Sequence, residues 1–161
     1  MRSILFVFAF VATAHLAEIP LQDSPPPTKC MQMSIEKAEA DANVIFTGTI
    51  RDLYKDVVHP NMLKANVEVK RVMKGGNIVN TVSTIDSSSL VAWGRKLVVV
   101  DGIADPTICE SFAKRFDTRI FLLKNATSRE LKLNAPLVRL TLNNIIRTDA
   151  AVHGKHLCSL L

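Results

Sequence analysis

The sequence predicts a mainly β fold: a small five-stranded barrel with one α-helix before it and another after it. Three observations carry this. Segments between Asn43 and Lys124 are rich in β-branched and apolar residues, several with period-2 alternation. Turn-formers separate them at Gly75-Gly76, Ser87-Ser88-Ser89 and Asp105-Pro106. Helical spacing appears at the two ends. Strand spacing alone suits a closed barrel of the oligonucleotide/oligosaccharide-binding type and a two-sheet sandwich almost equally.

The chain opens with Arg2, then an uninterrupted apolar run from Ile4 to Val11, then Ala12-Thr13-Ala14. This is the pattern of a signal peptide over residues 1–17, cleaved after Ala14 or Ala17. The run is shorter than the ~20 residues a membrane span needs, and no later segment is long and apolar enough. A secreted, extracellular protein is expected. Residues 18–29, with Pro25-Pro26-Pro27, read as a stiff Pro-rich leader that cannot be helical. The folded domain is expected over residues 30–153, with a tail over 154–161.

Met31 to Asp41 reads as a short amphipathic helix, because Met31, Ile35, Ala38 and Ala42 recur at helical spacing. Asn43 to Arg51 is the first strand, with Val44, Phe46, Gly48 and Ile50 on one face and Gly48 marking a bend or bulge. Leu63 to Met73 is the second. It turns Ala65, Val67 and Val69 inward and Lys64, Asn66, Glu68 and Lys70 outward. Ile78 to Ile85 and Lys96 to Ile103 follow, with Ser87-Ser88-Ser89 as the loop between them. Thr118 to Lys124 is the fifth strand and Glu130 to Leu133 a short sixth segment. Asn134 can cap a final helix with Pro136 in its first turn, running to about His153, where Gly154 offers a stop.

Secretion places the three cysteines, Cys30, Cys109 and Cys158, in an oxidising compartment. Cys30–Cys109 is the expected pair, because it ties the first residue of the domain to its middle. Cys158 is then a capped or free thiol in the tail, or the link of a covalent dimer. Asn125-Ala126-Thr127 is an acceptor sequon for an N-linked glycan on Asn125.

The formal charge is +5, with scattered bases densest at Lys64, Lys70, Arg71 and Lys74. This allows a weak preference for acidic glycans or anionic surfaces; a solvated basic strand face is the plainer reading. Nucleic acid does not fit a secreted chain without a recognition motif. Catalysis lacks support as well. His15, His59, His153 and His156 have no convincing metal-ligand spacing, and no nucleophile elbow, phosphate loop or His-Glu-x-x-His helix occurs. Asp105 and Asp117 are better read as starting a turn and a strand. No cofactor, metal or enzymatic activity is expected.

Asp105-Pro106-Thr107-Ile108-Cys109, Asp117-Thr118-Arg119-Ile120-Phe121, Ala42 to Ile50 and Leu133 to Leu142 together resemble the N-terminal laminin-binding (NtA) domain of agrin. That domain is similar in fold to the tissue inhibitors of metalloproteinases. The resemblance spans Cys30 to Val152 and favours the barrel over the sandwich. It implies an extracellular-matrix module whose partner is the coiled-coil long arm of laminin, bound by apolar residues of the last helix. Matching through Arg139 to Asn144 places the family's contact positions on Ile145 and Val152. Val138 and Leu142 lie on the same heptad-spaced stripe. On this reading Leu137, Leu140 and Ile146 face the barrel while Ile145 and Val152 project outward; a fully buried stripe is the alternative. Two cysteines of the family pattern are replaced here by Ala65 and Ala151. The competing functions are a metalloproteinase inhibitor of the same fold and a repurposed scaffold or dimer. The inhibitor needs a free amine on its first cysteine, which the leader before Cys30 denies it.

Overall fold

The computed structural model describes residues 30–86, 95–125 and 130–154. The signal segment, the leader, the Ser87-Ser88-Ser89 loop, Ala126-Thr127 of the sequon and Cys158 lie outside the described residues, as do the side chains of Ile85, Asp86 and Asn125.

Helix α1 spans Ile35–Asp41. Ser34 caps it, its hydroxyl accepting from the Lys37 amide at 3.3 Å. The helix starts four residues later than the apolar spacing suggests. Met31 is instead extended, donating its amide to the Thr107 carbonyl at 2.8 Å and bridging to Ile108. That bridge sits beside the Cys30–Cys109 disulfide, which forms as expected.

Strand β1, Val44–Lys55, pairs antiparallel with β2, Leu63–Lys74. Gly75 then turns the chain in the left-handed region, with φ 74°. A side chain there would meet the Asn43 carbonyl oxygen at 2.4 Å, so only glycine fits. Next comes a helix, α2, over Gly76–Val82, where the sequence reading expected a strand from Ile78. Only β3, Thr84–Asp86, survives of that strand. The helix prevails because Ile78, Val79 and Val82 fall on one helical face and pack into the core. The chain continues through β4 (Arg95–Ile103), β5 (Thr118–Asn125) and β6 (Glu130–Leu133).

Five strands close into a ring. β1 pairs antiparallel with β2 and β5, β2 with β4, and β5 with β6, while β4 and β6 pair in parallel. β3 lies beside β4, outside the ring. The chain is thus mainly β, in a closed five-strand arrangement flanked by helices at both ends.

Leu133 leads not into a helix but into an extended segment. Ala135 and Leu137 are buried there, and β7, Val138–Arg139, pairs with β5. The last helix, α3, spans Leu142–Val152 and is capped by Thr141 rather than Asn134. Pro136 suits this extended run because its fixed φ serves β and helix starts alike.

The apolar residues fall into two compartments. Inside the ring are Val44, Phe46, Ile50, Val67, Val100, Phe121, Leu123 and Leu131, with Phe46 and Phe121 stacked at 5.3 Å. Outside it, α1 and α3 cover Ile45, Ile120 and Leu122, together with Ala38, Ala42 and Ala135. β1 and β5 feed both compartments, since neighbouring strand residues point to opposite faces. Each fully buried aliphatic or aromatic side chain contributes roughly 1.5–3 kcal/mol of transfer free energy.

Candidate functional site on the last helix

Helix α3 exists because Thr141 accepts from the Asn144 amide at 3.2 Å and supplies a proper start. The Asn144 side chain donates to the Arg139 carbonyl at 2.9 Å, tying the helix start to β7. Ile145, Thr148 and Val152 recur at i, i+3 and i+7 and form the inner face. Ile145 and Val152, with Val138 of β7, are half-buried against the outer compartment. Thr148 is fully buried, and its hydroxyl is satisfied by donating to the Asn144 carbonyl at 2.7 Å. Two ion pairs brace the helix at its sides. Arg147 meets Glu36 of α1 at 2.7 Å, and Asp149 meets Arg71 of β2 at 3.4 Å. The hydrogen bond from Arg147 holds the Glu36 carboxyl below its ordinary value.

The outer face is the candidate site. Leu142 is 75% exposed and Ile146 is 48% exposed, one turn apart on the same side of the helix. Leu140, just before the cap, is exposed too. Of the two readings open from the sequence, an outward Ile145 and Val152 fails, since both pack inward as a buried stripe would, and neither reading places Leu140 and Ile146 outward, where they are exposed. Leu137 does face inward and is buried, but Leu140 and Ile146 do not. The cause is the helix start. Moving the cap from Asn134 to Thr141 makes Leu140 non-helical, and the inner face is then set by Ile145, Thr148 and Val152. Ile146 was therefore missed as a surface residue. Leu142, already on the candidate stripe, is its most exposed member.

Beside the start of α3 lies an open groove of about 590 Å³, lined by Ser34, Ile35, Cys109, Leu137, Val138 and Asn144, among others. Cys109 of the disulfide lines it, and Gln32 to Ile35 line it on the side of α1. Arg139 of β7 stands directly opposite Arg119 of β5. Arg119 is paired with Asp117 at 2.9 Å.

The family model of the agrin NtA domain matches residues 36–155, which is most of the chain and includes α3 and all but the first residue of α1. This chain belongs to the agrin NtA domain family. NtA domains are extracellular binding modules and not an enzyme family. The match ends just beyond α3, so the capped helix and its apolar outer face are part of the NtA domain itself. No described helix of this NtA domain is long and apolar enough to cross a membrane.

Proposed function

We propose that this chain is a secreted extracellular-matrix module that binds the coiled-coil long arm of laminin through α3. The observation that carries the proposal is the exposed pair Leu142 and Ile146, aligned on a helix whose opposite face is docked and braced. An apolar ridge on a fixed helix complements the apolar and charged surface of a coiled-coil rod. Leu142 and Ile146 form the centre of the contact. The exposed edges of Ile145, Val152 and Val138 extend it, in keeping with the positions that the family resemblance assigns. Membership of an extracellular binding family supports the reading, as does the signal-like start of the chain.

The test is binding of the secreted protein to a laminin long-arm coiled-coil fragment, with Leu142→Ala/Ile146→Ala beside it. Covering two such side chains contributes about 2–3 kcal/mol after partial exposure is allowed for, or roughly 30- to 150-fold in Kd. Loss of that size at an unchanged melting temperature supports the proposal. No binding of the unaltered protein at micromolar concentration refutes it and returns the choice to an inhibitor or a scaffold.

A further inference from the structure

A second surface lies on the outer face of the ring, where three adjacent strands bring three cations to one carboxylate. Arg51 of β1 donates both Nε and Nη2 to Glu68 Oε2 on β2. Lys70, also on β2, reaches Glu68 Oε1 at 2.6 Å, and Arg95 of β4 comes within 3.9 Å of the same oxygen. The Glu68 side chain is only 8% exposed, whereas those of Arg51, Lys70 and Arg95 are 31%, 46% and 41% exposed. The acid therefore sits beneath and the bases form the rim. Burial raises the Glu68 carboxyl, and the hydrogen bonds from Lys70 and Arg51 more than offset this, so it stays ionised at neutral pH.

One negative charge among three positive ones leaves a surplus that faces solvent, with Arg51 and Lys70 held in place by their hydrogen bonds to Glu68. Arg115 adjoins the cluster. Its Nε donates to the Arg51 carbonyl at 2.7 Å, and its charge is matched by Asp52 at 3.0 Å. β3 runs beside this edge of the cluster, its backbone in register with that of Arg95. The rim crosses two strand spacings, or roughly 10 Å. A row of cations gathered around one carboxylate, two of them guanidinium forks, suits an extended polyanion with sulfate or carboxylate groups along its length. The strands concerned, β2 and β4, offer the side on which five-strand rings of this kind hold oligosaccharides, a fold-level parallel.

We propose that the face around Glu68 binds a sulfated polysaccharide chain through Arg51, Lys70 and Arg95. It is independent of the α3 ridge and of laminin binding. The probe is heparin. Lys70→Ala/Arg95→Ala should elute from immobilised heparin at markedly lower salt than Lys124→Ala/Lys132→Ala, which removes the same charge from exposed positions on β5 and β6. In the unaltered protein, bound heparin should protect Lys70 from acetylation while Lys124 and Lys132 react, a readout that needs no variant to fold. Equal shifts for the two double variants would reduce the effect to net charge and overturn the proposal. So would unprotected Lys70, or capture by phosphatidylserine vesicles that depends on Lys70 and Arg95 while heparin binding does not.

Discussion

Replacing Ile145 by alanine tests the phase of α3 most directly. Ile145 is half-buried against the outer compartment formed by Ala38, Ile45, Ile120 and Leu122. A fully buried isoleucine or leucine truncated to alanine costs about 2–5 kcal/mol, so a half-buried one at a helix–sheet contact should cost about 1–2 kcal/mol. For a domain of this size that is a fall of roughly 3–8 °C in Tm. Leu142→Ala, on the exposed ridge, should change stability by less than about 0.5 kcal/mol and leave Tm nearly fixed. The assay is thermal unfolding followed by circular dichroism, run on both variants alongside titration with the laminin coiled-coil fragment. Leu142→Ala should lose affinity at constant Tm, and Ile145→Ala should lose Tm whatever it does to affinity. A stable Ile145→Ala variant beside an unstable Leu142→Ala variant would refute the inner and outer assignment of the helix.

Cys30→Ser/Cys109→Ser opens a loop spanning a separation of 79 residues. The chain-entropy relation puts the cost near 4–5 kcal/mol, measurable by denaturant unfolding as a lower midpoint, with m rising because the unlinked unfolded chain exposes more surface. Gly75→Ala should destabilise by at least about 1–2 kcal/mol, from the left-handed φ alone, before the contact with Asn43 is counted; a Tm equal to that of the unaltered protein would contradict the turn geometry. The Asp117 carboxyl is held below its ordinary 3.8 by hydrogen bonds from Arg119 and the Lys114 amide, and that of Asp56 by His59 and the Val58 amide. Depressed folded values give stability that is present above the unfolded values and lost as pH falls through the folded ones. Tm should therefore be level above about pH 5 and fall on acidification below about pH 4, with Asp117→Asn lower at neutral pH and flatter in acid. A Tm that rises in acid would contradict the assignment.

Much of the fold was legible because its strands carry their own pattern. Asn43 to Arg51, Leu63 to Met73, Lys96 to Ile103 and Thr118 to Lys124 each emerge within a few residues of their observed limits. The Cys30–Cys109 bond followed from which pairing ties the domain together. Two segments misled for definite reasons. In Gly76 to Val82 the β-branched composition argued for a strand, while the spacing of Ile78, Val79 and Val82, the better signal, was helical. At the other end, Asn134 and Thr141 are both credible caps, and Pro136 fits either choice. What decides for Thr141 is the burial of Ala135 and Leu137 and the pairing of Val138 with Ile120, contacts distant in sequence. The candidate site inherited that ambiguity. Ile145 and Ile146 are chemically alike and adjacent, and only the helix phase separates a packed residue from an exposed one. The charge cluster at Glu68 was invisible in one dimension, since Arg51, Lys70 and Arg95 meet only when β1, β2 and β4 lie side by side.

The first strand has one more consequence. The N-terminal half of β1 lies under the helices through Ile45, and its other half carries Arg51 on the open face beside Glu68. β2 and β5 grip it from both sides along the half that the helices cover. Apart from what the Arg71–Asp149 pair passes to β2, a pull applied between α3 and the Glu68 face is thus carried lengthwise along β1. Its hydrogen bonds lie across that direction, so they must slip together in shear instead of opening one after another. β1, one of the two strands that feed both apolar compartments, is thus also a tension member between the two exposed surfaces.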